Sequence, residues 1–288
     1  MARVELKLVG AGGEPVDFWR TVNSHGLNDL LPNRIDSVER TLELTLRPGP
    51  QTVVVRRSGS GTITVHGRAP RKVADAVRHV LRLDEDLSPL YARLAEDTDL
   101  AWAARGAGRW MRSQTVFEDV VKTICTTNCA WSGTVRMVTA LVERLGEESD
   151  EGRRAFPTPE AMANARPRFY RETARTGYRG AYLKSLAKSV ASGSLDLEAL
   201  VNERELDDEE VAARLLELPG VGPYAAAHIM MLIGRYSKLV LDSWTRPTFA
   251  RLNGRKATDP GIERRFRRYG EYAGLAFWLY LTRDWVED

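Results

Sequence analysis

The feature that most constrains the fold is a short glycine turn between two helical patterns. Residues 218–223 read Leu-Pro-Gly-Val-Gly-Pro. The two glycines permit the positive φ angles and close backbone approach of a tight hairpin. Pro223 suits the first position of a following helix, where its missing N–H costs nothing. A helix that begins this way directs free backbone N–H groups outward at its positive end, so the pattern predicts a hairpin between two helices that binds a phosphate.

An aspartate follows this hairpin. Residues 224–232 combine small and flexible side chains, which indicates a buried helix. Asp242 lies 18 residues after Tyr224 and directly follows the apolar run 239–241. Taken singly, the turn also fits an ordinary connection between helices, and Asp242 also fits the cap of a helix that starts near Trp244.

The composition sets wide bounds. A chain of 288 residues holds one large domain or two to three small ones, and 43% hydrophobic with 28% charged residues is typical of a globular protein. The net charge of +3 shows no overall excess that indicates a nucleic-acid partner, so a DNA-binding face must come from local clustering. No apolar run has the length of a bilayer span, and the first residues lack the apolar core of a signal peptide. We therefore expect a cytoplasmic protein, or a nuclear one if the source is eukaryotic, without a membrane partner.

Cysteine usage excludes two kinds of metal site. The only cysteines are Cys125 and Cys129, which are too few for a four-cysteine iron–sulfur cluster or a structural zinc site. We expect buried free thiols.

The first 75 residues are predicted to be β-rich. Residues 41–46 alternate with the period of a half-buried strand, and Arg56–Gly61 joins the apolar runs 53–55 and 62–65 in a plausible hairpin. From Arg71 onward, helical patterns replace strand patterns. The predicted fold class is α+β: a small antiparallel β layer (1–75), followed by an all-helical body (76–288).

Several segments of this body are predicted helices. The pattern at 116–129 is strongly amphipathic, with Phe117, Val120, Val121 and Ile124 as its core stripe. The other predicted helices are Lys72–Leu83, Ser88–Glu96, Gly133–Leu145 (with Val135 in its core stripe), a segment capped by Thr158, Tyr182–Ser192, Trp244–Leu252 and Gly261–Leu281.

Four segments of the chain, in this order along the sequence, resemble the helix-hairpin-helix DNA glycosylase superfamily. The resemblance is to the branch of that superfamily without an iron–sulfur cluster. Residues 117–145 look like the core helix pair of 8-oxoguanine DNA glycosylases. Residues 156–160 (FPTPE) and 180–197 look like 3-methyladenine DNA glycosylase II, and both groups share the hairpin with its aspartate at 218–242. The resemblance implies a two-lobed helical body, with an inner lobe at about 117–233 and a second lobe at about 76–116 plus 234–288.

The resemblance implies a base-excision reaction. Such enzymes flip a damaged nucleotide out of the duplex and break its N-glycosidic bond. Asp242 matches the catalytic aspartate, whose carboxylate stabilises the positive charge that develops on the sugar and positions water. Tyr224 stands where bifunctional members carry a nucleophilic lysine, and a phenol cannot form a Schiff base. The implied enzyme is therefore a monofunctional hydrolase that leaves an abasic site.

The resemblance also implies DNA contacts. Gly220, Val221 and Gly222 match the phosphate-binding hairpin. Asn128 matches the residue that fills the gap left by the flipped nucleotide, Tyr178 matches a wedge, and Arg179 matches an arginine that faces the estranged base. The chain departs from the 8-oxoguanine enzymes at Cys129, Ala130 and Gly133, where that group carries polar or basic residues. The basic run 255–268 suggests further contacts or a solvated helix face.

The same hairpin implies an ion. In the superfamily, backbone carbonyls corresponding to Leu216, Leu218 and Val221 hold a monovalent cation, Na⁺ or K⁺, which aids binding and takes no part in catalysis. No cofactor is implied for the reaction.

The sequence constrains the identity of the damaged base less than it constrains the reaction. Phe277 stands where 8-oxoguanine enzymes carry a glutamine that reads the base edge, and an aromatic pocket suits cationic alkylated purines. We expect such a pocket to be lined by Tyr224, His228, Trp131, Trp244, Phe277 and Leu281. The alternatives are removal of 8-oxoguanine, removal of mismatched thymine or uracil, and a non-catalytic lesion-binding protein, which Asp242 disfavours. The expected partner is double-stranded DNA with a damaged base, bound by a monomer that is nucleoid-associated if bacterial.

Overall fold

The N-terminal layer is one antiparallel sheet. The computed structural model describes residues 2–202 and 205–286. Five strands pair in the order β1-β5-β4-β3-β2, all antiparallel. Their bounds are β1 Ala2–Lys7, β2 Arg34–Asp36, β3 Thr41–Leu46, β4 Gln51–Gly59 and β5 Thr62–Gly67.

The sequence predicts the central strands better than the edge strands. β3 covers the predicted residues, and the predicted hairpin joins β4 to β5. The strands β1 and β2 are not predicted. Both form edges of the sheet, and their side chains are exposed or half-buried, so neither has a fully buried face.

The helical body follows the sheet. Its helices are α1 Phe18–Val22 (between β1 and β2), α2 Ala74–Val80, α3 Ser88–Ala95, α4 Val116–Thr126, α5 Trp131–Leu145, α6 Pro159–Asn164, α7 Arg179–Ala191, α8 Ala199–Asn202, α9 Asp208–Leu216, α10 Pro223–Leu232, α11 Thr245–Leu252, α12 Asp259–Phe266 and α13 Ala273–Thr282. The α+β class is confirmed.

Two details of the helix predictions are wrong. Val135 of α5, assigned to a core stripe, is 40% exposed. The single helix predicted at 261–281 is broken by a 3₁₀ segment at 267–272, in which Gly270 has φ 59° and ψ −123°. A helix cannot continue through that conformation, so α12 and α13 are separate.

Two apolar cores form. The smaller core lies on the sheet and includes Leu44, Val55 and Ile63. Val77 and Val80 of α2 also belong to it, so this core extends past residue 75. The larger core is continuous through both predicted lobes and buries α10 and α13 almost completely.

Two buried arginines connect these cores. Arg82, just after α2, is 1% exposed and donates hydrogen bonds to the backbone carbonyls of Trp110, Met231 and Leu232. The last two carbonyls belong to the C-terminal end of α10, where a positive charge is favourable. Arg109 is fully buried and donates to the Glu14 carboxylate. The far end of the hairpin helix is therefore attached to the segment that follows α2, which packs on the sheet.

The two cysteines differ. Cys125 is buried in α4, and burial raises the pKa of its thiol to about 12. Cys129 is exposed, so the expectation of a buried thiol is wrong there, because residues 127–130 form the loop between α4 and α5.

Among the described residues, no group of three or more histidine, cysteine or acidic side chains is placed to hold a metal ion. No helix of the described chain is both long and apolar enough to cross a membrane.

Candidate active site

The predicted hairpin joins α9 to α10. α9 starts with a capping box in which the Asp207 carboxylate accepts from the Glu210 N–H and the Glu210 carboxylate accepts from the Asp207 N–H. Gly220 has φ +87°, and a Cβ there would lie 2.8 Å from the ring of Tyr182. Both the backbone angle and the close approach to α7 therefore require glycine at this position.

The start of α10 leaves backbone donors available. Gly222 caps the helix through its carbonyl, which accepts from the Ala226 N–H at 2.8 Å, and it has no side chain to cap the other N–H groups. A Cβ at Gly222 would meet no atom within 4 Å, so this face of the turn is open. The arrangement fits a bound anion such as a DNA phosphate.

The carbonyls of the same turn are suited to a cation. The Leu218 carbonyl accepts from the Val221 N–H at 3.0 Å. The carbonyl oxygens of Leu216 and Val221 accept no hydrogen bond from a described residue, so both have oxygen lone pairs available. This donor set fits a Na⁺ or K⁺ ion, which prefers oxygen ligands.

Asp242 lies in the segment that leads into α11. Its Oδ1 accepts from the N–H groups of Trp244 at 2.8 Å and Thr245 at 2.7 Å. Its own N–H donates to the Thr245 hydroxyl at 2.8 Å. Oδ2 accepts no hydrogen bond from a described residue. One carboxylate oxygen therefore fixes the side chain, and the other remains available for chemistry.

Tyr224 and His228 lie one turn apart on α10 and share a face, with ring centroids 5.9 Å apart. The Tyr224 hydroxyl is 3.4 Å from that of Thr126. Burial, and then the negative charge of Asp242, raise the pKa of Tyr224, so the side chain remains a phenol. Burial lowers the pKa of His228 to about 4 against the opposing charge of Asp242, so the imidazole is neutral at pH 7.

A row of aromatic rings continues from this face. Ring centroids of His228 and Trp110 are 5.0 Å apart, those of Trp110 and Trp278 are 5.0 Å apart, and those of Trp278 and Trp244 are 5.6 Å apart. We call Tyr224, His228, Trp110, Trp278 and Trp244 the aromatic row. Trp110 is not predicted as a site residue, because it lies in a loop far along the chain from the hairpin.

His25 packs beside this row and is likewise not predicted. Its ring centroid is 4.6 Å from that of Trp110 and 5.9 Å from that of His228. Its Nε2 donates to the Met111 carbonyl at 2.7 Å, so its Nδ1 is an acceptor. That Nδ1, both ring nitrogens of His228 and the Trp110 Nε1 are buried without a hydrogen-bond partner among the described residues. Such groups are rare in folded proteins and mark this cluster as a place where a polar ligand edge would be favourable.

The other predicted lining residues divide into two groups. Trp131 is 48% exposed, with its ring tip 3.5 Å from where a Gly26 Cβ would stand, and Trp244 is 38% exposed. Phe277 is instead completely buried, with ring centroids 6.1 Å from Phe249 and 5.3 Å from Phe266. This side of α13 faces α11 and α12, so Phe277 is a packing residue.

Leu281, on the same helix, is 4% exposed and belongs to the larger core. It too packs in the interior.

Three predicted DNA-contact residues lie together. The Asn128 amide donates to the Tyr178 hydroxyl at 3.3 Å, both side chains are exposed, and Asn128 has φ +46°. Arg179 is different. It is 6% exposed, its guanidinium lies 4.6 Å from the Tyr178 ring centroid, and it donates to the Thr127 carbonyl. Arg179 therefore packs against the Tyr178 ring and does not project into solvent.

The basic run at 255–268 is partly neutralised. Arg265 pairs with Asp99 at 3.0 Å, and Arg268 pairs with Asp97. Exposed salt bridges are weak, but they occupy the two guanidinium groups that face α3 and the loop after it.

Relatives found by sequence and by structure are DNA glycosylases. No protein-family model matches the chain. A protein named N-glycosylase/DNA lyase OGG1, from Arabidopsis thaliana, is 27% identical over 287 residues, covering 85% of this chain and 77% of that protein.

Solved structures share the fold. An 8-oxoguanine glycosylase/lyase from Clostridium acetobutylicum superposes with a TM-score of 0.76 at 18% identity, covering 98% of this chain and 96% of its own. A 3-methyladenine DNA glycosylase from Archaeoglobus fulgidus gives a TM-score of 0.75 at 23% identity and covers both chains fully. The resemblance indicated by the sequence motifs is thus confirmed over almost the whole chain.

Proposed function

We propose, from its resemblance to the helix-hairpin-helix DNA glycosylases, that this protein is a DNA glycosylase that removes a damaged base and leaves an abasic site. The observation that carries the proposal is Asp242. It is held by two backbone N–H groups through Oδ1, keeps Oδ2 available, and influences the titration of Tyr224 and His228 on the hairpin helix. A phosphate-binding hairpin thus adjoins a carboxylate and an aromatic row.

The proposed mechanism uses few groups. The hairpin N–H groups anchor a phosphate of the damaged strand, and Asn128 with Tyr178 fills the space that the flipped nucleotide leaves. As the N-glycosidic bond breaks, its electron pair leaves with the base, and positive charge develops on the sugar. The Asp242 carboxylate stabilises that charge and accepts a proton from the water that adds at C1′.

The proposed reaction is monofunctional. Tyr224 occupies the position of the lysine that forms a Schiff base in bifunctional enzymes, and its phenol cannot do so. Another lysine, Lys184, is a weak substitute, because its ammonium already donates to the Ala165 carbonyl beside α6.

Alkylated purines are the proposed substrate class. The aromatic row offers π faces, and its one titratable imidazole is neutral at pH 7, so it does not repel a cationic base. Alkylation at a ring nitrogen also makes the purine a good leaving group, which suits a site where Asp242 is the only charged group assigned to chemistry.

A second candidate, 8-oxoguanine removal, is favoured by the Clostridium protein of the same fold. Phe277 lies outside the pocket, so only the missing glutamine disfavours 8-oxoguanine as the substrate. The buried acceptor at His25 Nδ1 is compatible with a base that presents a ring N–H.

We also propose the binding state. The protein acts as a monomer on double-stranded DNA, with a Na⁺ or K⁺ ion held by the carbonyls of Leu216, Leu218 and Val221 as a binding aid.

The test is base release under single-turnover conditions from duplexes that contain an alkylated purine, 8-oxoguanine, or mismatched thymine or uracil. Asp242→Asn keeps the Oδ1 acceptor and removes the charge, so the start of α11 stays capped. We expect at least about a hundredfold loss of rate with unchanged duplex affinity.

The outcomes separate the candidates. An undiminished rate in Asp242→Asn contradicts the mechanism. Strand breakage before alkali treatment contradicts the monofunctional assignment. A wild type that binds lesions but releases no base from any duplex supports the non-catalytic reading.

A further inference from the structure

The segment 166–188 is far more basic than the rest of the chain. It contains seven Lys and Arg residues and one acid, a net charge of +6, although the whole chain carries only +3. The remainder of the protein is therefore net negative. The basic members are Arg166, Arg168, Arg171, Arg175, Arg179, Lys184 and Lys188. Local clustering of one sign is the electrostatic signature of a polyanion site.

Most of these charges are available. Arg166, Arg168, Arg175 and Lys188 are exposed, and their side chains make no hydrogen bond or ion pair with a described residue. Arg171 pairs with its exposed neighbour Glu172 at 2.7 Å, which is worth at most about 1 kcal/mol. A polyanion can therefore engage them without first breaking a strong internal contact.

A groove follows this segment along α7. Its volume is about 470 Å³, and Arg171, Lys184 and Lys188 contribute its charge. Two small exposed residues, Gly177 and Ala181, also line it, so a chain that enters can approach the backbone closely at the start of α7. The groove is open, and its lining residues follow α7 from Gly177 to Lys188 beside basic side chains, which fits a sugar–phosphate backbone better than a compact small molecule.

The groove is continuous with the candidate active site. At the start of α7, the ring centroids of Tyr178 and Tyr182 are 5.8 Å apart, and the Tyr182 ring contacts the hairpin at Gly220. Ala181, Lys184 and Lys188 lie at helical spacing on the adjacent face. DNA that contacts the hairpin and the wedge therefore passes the mouth of the groove.

We propose that this groove is a second phosphate-binding track, which holds the backbone of duplex DNA beyond the hairpin. The identity of the polyanion rests on the proposed function, and the track extends it by naming where the duplex continues. Each phosphate neutralised by a basic side chain releases bound counterions, so the track contributes directly to the salt dependence of binding.

The test compares two triple variants by fluorescence anisotropy with an undamaged duplex over a range of salt. Arg171→Gln, Arg175→Gln and Lys188→Gln together remove three exposed charges from the basic segment, two of them from the lining of the groove. Lys7→Gln, Arg71→Gln and Lys72→Gln together remove three charges from exposed positions of the β layer. The slope of log affinity against log salt should fall by roughly 2 to 3 in the groove triple and stay unchanged in the control triple.

Two outcomes overturn the track: an unchanged slope in the groove triple, or equal losses in both triples, which would reflect net charge alone. Because all six residues are exposed, equal melting temperatures are expected and show that each protein is folded. The measurement involves no chemistry. A wild type that shows the groove-dependent slope but releases no base contradicts the glycosylase proposal and leaves the track supported.

Discussion

Tyr224 is the residue that sets the proposed reaction type. Its ring centroid lies 5.9 Å from that of His228, and its phenol stays protonated, so it lines the site and offers no amine nucleophile. Tyr224→Lys places an amine at the position of the Schiff-base lysine. Burial lowers a lysine pKa and so increases the share of free amine.

We expect Tyr224→Lys to break the strand without alkali and to be trapped on DNA by borohydride, whereas wild type does neither. Tyr224→Phe is the matched control and should release base without trapping. Equal trapping of wild type would show that another amine performs the reaction.

Asn128 allows a clean test of gap filling. Its left-handed backbone, φ +46°, is one that glycine adopts readily, so Asn128→Gly deletes the side chain without straining the loop. We expect base release to slow roughly tenfold, because about 1.4 kcal/mol of the cost of flipping is no longer offset.

The deficit of Asn128→Gly should shrink when the damaged base is mismatched, because a mismatched base costs less to unstack. Single-turnover rates on paired and mismatched duplexes measure this. An equal deficit on both duplexes would assign Asn128 a role other than gap filling.

The hairpin contains two glycines that are required for different physical reasons. Gly220 combines φ +87° with a close approach to Tyr182, whereas Gly222 has an extended backbone and open space around it. We expect Gly220→Ala to destabilise the fold by about 1 kcal/mol or more. Gly222→Leu should leave stability nearly unchanged and weaken duplex binding, because the side chain stands where a phosphate would approach.

Thermal melting and anisotropy on the two variants separate the roles of the glycines. Loss of stability in Gly222→Leu, or tight DNA binding by it, would remove the phosphate site from this face of the turn.

The elements also show what the sequence can predict. Glycine spacing, capping residues and apolar periodicity are local, so the hairpin, the Thr158 cap and the core stripe of α4 are predictable. The partners of the hairpin helix are not local. His25 and Trp110 reach His228 from loops, and Phe277 packs against Phe249 of α11 and Phe266 of α12. Resemblance supplies positions along the chain, but side-chain direction depends on packing.

The whole molecule depends on the connection between its two cores. Arg82 is buried and donates to the last carbonyls of α10, so its loss leaves several carbonyls unpaired in the interior. We expect Arg82→Met to lower the free energy of unfolding by about 3 kcal/mol or more. Exposed Arg71→Met should change it by less than about 0.5 kcal/mol. Chemical denaturation measures the free energy of unfolding of both variants. Similar small changes in the two would show that the hydrogen bonds of Arg82 to α10 are not needed for stability.

Stability should also depend on pH through Asp119. Burial, with a smaller effect of Glu118, raises the pKa of this carboxyl to about 7 in the folded protein. The folded state thus holds a proton that the unfolded state gives up near pH 4, so this contribution is present in acid and is lost as pH rises through about 7. Asp119→Asn keeps the acceptor for the Ser113 N–H and cannot ionise.

Between pH 5 and pH 8, the melting temperature of wild type should fall more than that of Asp119→Asn. Parallel curves for the two proteins would show that Asp119 does not titrate in this range.

One consequence follows from the different surroundings of the two cysteines. Cys129 stands exposed next to Asn128, whereas Cys125 is enclosed in α4. The native chain thus offers one thiol on an exposed residue, at the loop that is proposed to enter the DNA, with its Sγ donating to the Cys125 carbonyl at 3.1 Å. A duplex that carries a disulfide-linked tether opposite this loop would be captured covalently in a single register, without engineering the protein. Structure determination of that adduct would then show directly which nucleotide leaves the stack.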